Sequence, residues 1–368
     1  MAHLVAAVVE QQEVLAPVAA MPAQLELGMA EPQPSSSGLQ VSAHERLGFE
    51  LGWDHAHHGL TPPTAHLFAT SPLRQGWLAG RATFGRRTLK ASRHTRLWLA
   101  LRSHAWARGR SFETLELTPN YLQQISVEHC PVTRVPLDES NASIDRVRDD
   151  AGYAAGNIAM LSCQANAAKA AHTWASAAEL AASLSQGPFT EVAGLGADEW
   201  QRIAVLCSFV TELPHEQAAA IPLHVLPPNR LRLFNPIQAL QALVTRQLAT
   251  PGWSQRLARI EALLPADEGL RGDFNRFVMA LVPRVLRNSK DALLEAHEIR
   301  WALEDAWSDA LVMKRWTRFA LRLSAALAEG LVQRAAAKRL ATVHVQRHAA
   351  PRATEGWALE RRGYRVAA

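Results

Sequence analysis

Residues Ser143 to Lys169 read S-I-D-R-V-R-D-D-A-G-Y-A-A-G-N-I-A-M-L-S-C-Q-A-N-A-A-K. An Asp-Arg pair lies in a short apolar run, a Gly-Tyr turn and a Gly-Asn step follow, and a second apolar run leads to a second Asn that opens a helix. The pattern predicts a strand over Ser143 to Val147, a second over Asn157 to Leu161 and a helix starting over Ala165 to Ala171. Asn157 comes eleven positions after Arg146, and Asn166 nine after Asn157. A hairpin followed by a helix can bring these separated points together.

The flanks extend the unit. Thr118-Pro119 begins a helix through Ile125, and Trp174 to Leu184 has the spacing of an amphipathic helix. With these flanks, residues about 118–184 resemble the strand–loop–strand–helix finger of HNH nucleases, a ββα-metal (His-Me finger) unit, and Glu128-His129-Cys130-Pro131-Val132-Thr133 is similar to the knuckle that precedes it. The resemblance implies a small α+β domain within a mainly α chain and a site that cuts phosphodiester bonds. One hard divalent cation on oxygen ligands can polarise the scissile phosphate and stabilise the leaving oxygen. By the resemblance, Asp145 and Asn166 ligate Mg2+ (or Mn2+), Asn157 ties down the loop, Gly152 and Gly156 permit the turns, and Lys169 reaches a phosphate. The implied catalytic group is thus Asp145, Arg146, Asn157 and Asn166.

Two departures from the family pattern stand out. Arg146 occupies the place of the usual His; a guanidinium stays protonated and cannot act as general base, although it can clamp a phosphate or stabilise developing charge. His129 and His172 are the nearby imidazoles, and both read as surface or packing residues. Many relatives hold the finger with two C-x-x-C pairs, whereas this chain keeps Cys130 and Cys163 and has Thr133 and Asn166 in the second places. Two thiolates seldom hold zinc, so no structural Zn2+ is expected, the two cysteines read as small buried residues, and Ile144, Val147, Ile158, Met160 and Leu161 are the expected packing.

Upstream, no acidic residue occurs between Asp54 and Glu113, while Arg74, Arg81, Arg86, Arg87, Lys90, Arg93, Arg96, Arg102, Arg108 and Arg110 do, with Trp77, Trp98 and Trp106 among them. Ser92 is placed to cap a helix running to about Trp106. A cationic run without anions fits a nucleic-acid backbone, each neutralised phosphate releasing a counterion. Arg86, Arg87, Lys90, Arg93, Arg96, Arg102, Arg108 and Arg110, with Lys169, are the candidate nucleic-acid contacts. Residues 44–87 predict two glycine-bearing helices with a Pro-Pro break between them. Gly48, Gly52, Pro62, Gly76, Trp77, Leu78 and Gly80 make this stretch similar to the ribosome modulation factor family, which implies RNA or ribosome contact.

The chain has 368 residues and a formal net charge of +5, with 48% hydrophobic and 20% charged residues. Length favours several domains, divided as a flexible leader over 1–42 with a short helix near Val5 to Val14, a basic helical segment over 43–112, the finger domain over 113–190, a helical domain over 195–348 and a loose basic tail over 349–368. Helices are expected over 197–213, 235–249, 253–264, 270–287 and, broken, 290–347. Three scattered cysteines exclude a disulfide framework and indicate a reducing compartment. The poor signal sequence and lack of a spanning run indicate a cytoplasmic protein without a membrane partner. The reading is an HNH-like, magnesium-dependent endonuclease acting on nucleic acid, DNA before RNA. The alternatives are a non-catalytic nucleic-acid- or ribosome-binding protein with a degenerate finger, and a helical scaffold for protein partners.

Overall fold

The computed structural model describes residues 42–288, 295–340, 346–347 and 354–365. The expected leader and its helix near Val5 to Val14 lie outside the described residues, save Ser42. The chain is mainly helical with small two-stranded sheets.

Helices start where hydroxyl side chains cap them. Ser42 and Glu45 form a capping box for α1 (Ala43–His57), Ser71 precedes Pro72 at the start of α2 (Pro72–Phe84), and Ser92 Oγ accepts from Thr95 N at 3.0 Å at the start of α3 (Arg93–Ala107). Thr118 caps α4 (Pro119–Ile125) with Pro at the first turn. Each cap satisfies one of the donors a helix leaves unpaired, and the Pro at N1 removes another.

Strands β1 (Ala142–Arg146) and β2 (Ile158–Ser162) pair antiparallel, with Ile144 opposite Met160 and Asp145 opposite Ala159. Helix α5 (Cys163–Lys169) follows at once, capped by Ser162, and α6 (Trp174–Gln186) begins at a Thr173–Ser176 capping box. A short hairpin of β3 (Glu191–Val192) and β4 (Leu195–Gly196) comes next, and it was not expected; Ala193 and Gly194 at positive φ make its two-residue turn. The remainder holds α7 (Ala197–Phe209), α8 (His215–Ala219), β5 (Arg232–Leu233), α9 (Pro236–Gln247), α10 (Trp253–Glu261), α11 (Glu268–Asn288), α12 (Ala296–Asp305), α13 (Ala310–Ala320) and α14 (Ala325–Ala337). Strand β6 (Gln346–Arg347) pairs parallel with β5. The expected helix over 290–347 is thus divided among α12, α13 and α14; 289–294 and 341–345 lie outside the described residues.

All five residues of β2 are buried, because both faces of the hairpin are covered. Ala159 and Leu161 join a large core with Trp200, Phe209, Leu240, Trp307, Trp316 and Phe319, whereas Ile158, Met160 and Ile144 join a second core with Leu101 of α3 and Leu122 and Ile125 of α4. The boundary expected near 190–195 is therefore no boundary in packing: the hairpin and the later helices share one core.

Residues 354–365, expected to be loose, are docked. Trp357 is fully buried, donates from Nε1 to Ala155 O at 3.2 Å and accepts Gly152 N–H at 2.7 Å through its carbonyl. Arg365 N–H donates to Gly109 O. One indole in an apolar pocket anchors a segment whose polar composition reads as tail.

Helices α1 and α2 approach so closely that a Cβ on Gly52 would lie 1.9 Å from Leu73 O and one on Gly76 1.9 Å from Phe49 O. We therefore expect Gly52→Ala to lower stability by about 1–3 kcal/mol or more, since the obstacle is backbone. A shift in the urea midpoint checks this, and an unchanged midpoint would contradict the close packing.

Candidate active site

Asp145 is on β1 and Lys169 is the last residue of α5. The two-sided cover of the hairpin removes both from water: Asp145 is 4% exposed and Lys169 0%. Lys169 Nζ donates to Asp145 Oδ1 at 3.1 Å and to Arg146 O at 2.9 Å. Burial pushes the Asp145 carboxyl above the usual carboxylate range, and the ammonium beside it opposes that rise. Burial works against the Lys169 charge as well, but the Asp145 carboxylate and the other acidic groups nearby together hold the ammonium above its ordinary value. The thiol of Cys207, near the pair, is pushed up to about 11 by burial and stays protonated. Lys169 is thus not a phosphate contact, as was expected of it; its charge is spent inside the protein on a carboxylate that could not otherwise be buried.

The second oxygen of Asp145, Oδ2, is buried without a hydrogen-bond partner. Asp145 lines a cleft of about 410 Å³ together with Arg146, Asn166, His104, Asp149 and Tyr153. One wall is α3, contributing Leu97, Ala100, Leu101 and His104. Asn166 donates from Nδ2 to Ser143 Oγ at 2.7 Å. That bond leaves its carbonyl oxygen free for another partner.

Arg146 is anchored away from Asp145. It donates to Asp149 O at 2.6 Å, to Ala151 O at 2.9 Å and to Asp149 Oδ1 at 2.5 Å, and its guanidinium lies 5.4 Å from the Tyr153 ring centroid. Asn157 is fully buried and does not line the cleft. Its Oδ1 accepts Arg148 N–H at 2.9 Å, and its Nδ2 donates to Arg148 O at 3.1 Å and Gly152 O at 2.9 Å. With its amide fully engaged, Asn157 positions the loop and cannot reach a substrate.

His104 was not singled out from the sequence. Its Nδ1 lies 3.1 Å from the Tyr153 hydroxyl. Burial, then Arg108 and Arg146, lower its pKa below the ordinary imidazole value. The signal was present as the helical stripe Arg93, Arg96, Leu97, Ala100, His104, but nothing in the text says that β1 packs beside it. His129 instead stacks on His297 with ring centroids 4.0 Å apart, and His172 packs edge-on against Trp200. Cys130 Sγ accepts the N–H groups of Thr133 and Ser162, so the turn over 130–133 closes onto the end of β2. Cys163 is exposed rather than buried.

The expected nucleic-acid contacts divide in two. Arg86, Arg87, Lys90, Arg93, Arg96 and Arg108 are exposed. Arg102 is 7% exposed; it pairs with Asp54 and lies 4.4 Å from the Trp98 ring centroid. Arg110 donates to Arg362 O at 2.9 Å and covers the Tyr364 ring. These two arginines hold helices and the docked C-terminal segment together. Trp77, Trp98 and Trp106 are also committed, each donating its indole N–H to a backbone carbonyl, at Leu60, Leu117 and His44. Among the described residues no helix is long and apolar enough to cross a membrane, and no group of three or more His, Cys, Asp or Glu side chains is arranged around a common metal position.

Removing one partner of the buried pair strands the other. Lys169→Met is expected to cost about 3–5 kcal/mol and Asp145→Asn a comparable amount, while the double variant costs clearly less than the sum of the two. Chemical denaturation of the four proteins measures the coupling, and strict additivity would show that the two charges do not interact.

No protein-family model, curated protein or solved structure matches the chain, so the chemistry of this cleft is read from its own side chains.

Proposed function

We propose that the protein is an HNH-like, metal-dependent DNA endonuclease whose working groups are Asp145, Asn166, Arg146 and His104. The observation that carries this reading is Asp145 Oδ2, a buried carboxylate oxygen with no hydrogen-bond partner in a residue that lines the cleft. Such an atom is costly to leave unsatisfied. A hard cation meets its need, and the carbonyl oxygen of Asn166 is a second donor of the same kind. Mg2+ or Mn2+ fits this set, since such ions take one or two protein oxygens and keep water and phosphate for the rest. When bound, the ion supplies Lewis-acid polarisation of the phosphoryl oxygen and stabilisation of the leaving oxygen. The order strand, loop, strand, helix, with Asn166 on the helix, further supports the likeness to HNH fingers.

The remaining work falls to the protein. Arg146, its orientation set by Asp149, presents a permanent positive charge to the phosphate. His104 takes the proton of the attacking water. In the tautomer whose Nδ1–H donates to the Tyr153 hydroxyl oxygen, 3.1 Å away, Nε2 is unprotonated and is the base. Its lowered pKa keeps the ring neutral, and therefore basic, at neutral pH.

A second reading is favoured by the ammonium of Lys169. It already matches the charge of Asp145 at 3.1 Å, which weakens the attraction for another cation. The protein is then a nucleic-acid- or ribosome-binding protein that keeps the finger without cutting, its target DNA or RNA.

Plasmid nicking in Mg2+ or Mn2+ tests the first reading. The wild type is expected to nick, Asp145→Ala and Asn166→Ala to lose the activity, and His104→Ala to lose about 10²–10⁴-fold. The rate should fall on acidification as His104 protonates, below the ordinary imidazole pKa, and that limb should vanish in His104→Ala. Equal activity in all four proteins would identify a contaminant. Salt-sensitive binding with no nicking by any of them would establish the second reading.

A further inference from the structure

The cleft beside Asp145 continues into a second hollow of about 260 Å³. The two share Leu97, Ala100, Ala142, Ser143 and Ile144, and so form one groove between α3 and β1. Along α3 the lining residues Arg93, Arg96, Leu97, Ala100 and His104 fall on one helical face. The stripe runs about 16 Å from first to last at 1.5 Å per residue, long enough for a few nucleotides of one strand.

The two ends of the groove differ in chemistry. At the far end Arg93 and Arg96 are exposed on the rim. Arg93 meets Glu139 at 3.3 Å in a pair exposed on both sides, and such a pair contributes little and exchanges readily for a phosphate. The middle is apolar: Ile144 and Met160 are buried in the second core, and Leu97 packs against them. The near end holds Asp145, Arg146 and His104.

We infer that this groove receives a single, unpaired DNA strand, with phosphates on the arginine rim, base faces on the Leu97–Ala100–Ile144 floor, and one phosphate reaching the Asp145 end. The inference rests on the endonuclease reading for what happens to that phosphate, but not for the binding. In a duplex the base faces are stacked on one another and would leave the apolar floor uncovered. A duplex backbone can meet the exposed rim arginines, but Asp145 is only 4% exposed. A single strand has no partner to keep clear of the groove walls and can follow the groove toward it. The floor has few groups able to read base edges, so contact through base faces and phosphates carries little sequence preference.

Fluorescence anisotropy with a labelled 12-mer of oligo-dT and a blunt duplex of the same length, both in EDTA, tests the groove. The single strand is expected to bind about tenfold or more tightly than the duplex. Ala100 is exposed, so Ala100→Asp should fold as the wild type does by circular dichroism. It should weaken the single strand about tenfold by placing a carboxylate against the phosphates, and leave duplex binding nearly unchanged. Equal or tighter binding of the duplex, or an Ala100→Asp variant indistinguishable from wild type, would overturn the inference. The same oligonucleotides in Mg2+ separate the two claims: a strand bound in the groove but never cut upholds the inference and removes the endonuclease reading.

Discussion

Strand β2 has no face left for water, and much of the site follows from that constraint. Ile158 and Met160 are committed to the core shared with α3 and α4, Ala159 and Leu161 to the core shared with the later helices. A two-stranded hairpin is marginal alone; here it is held between two apolar layers. β1 lies in the same sandwich, so a carboxylate at Asp145 enters a dry layer. The side chain that can follow it there must carry the opposite charge. Lys169 does so because α5 begins directly at the end of β2 and is two turns long, which returns its last residue beside β1.

This arrangement gives the two cations of the site different duties. Lys169 neutralises Asp145 from within and also donates to Arg146 O. Arg146 is held apart from that pair by Asp149 and two loop carbonyls. One carboxylate oxygen is therefore satisfied from inside while the other lacks a partner. The same geometry explains why two functional readings compete: an ammonium that permits burial also reduces the charge left to attract a metal ion.

The loop between β1 and β2 is held from several distant parts of the chain. Asn157 closes it by side-chain to backbone bonds, Glu113 Oε2 accepts Ala155 N–H at 2.8 Å, the Tyr121 hydroxyl accepts Gly156 N–H at 2.8 Å, and Trp357 caps Gly152. Gly152 is required by this contact, since a Cβ there would lie 2.4 Å from Gly356 O. Arg146, Asp149 and Tyr153 are thus presented to the cleft by a braced loop, which suits a site whose groups must stay aligned.

Local order was legible in the residues. The strand and helix pattern from Ser143 to Lys169, the Ser92 and Thr118-Pro119 helix starts, and the helices over the second half follow from caps and apolar spacing, which depend on neighbours within a few positions. Which charges are free was not legible. Arg96 and Arg102 look alike in an uninterrupted basic run, yet one lines the groove and the other is buried on Asp54 and Trp98, because a partner 48 positions away is invisible to spacing. Lys169 read as a surface cation and His104 was unremarkable for the same reason. The tertiary structure alone decided that β1 packs beside the His104 face of α3, and that Trp357 docks the C-terminal segment under the loop. Both outcomes come from burial, which is settled by what the rest of the chain brings to each face.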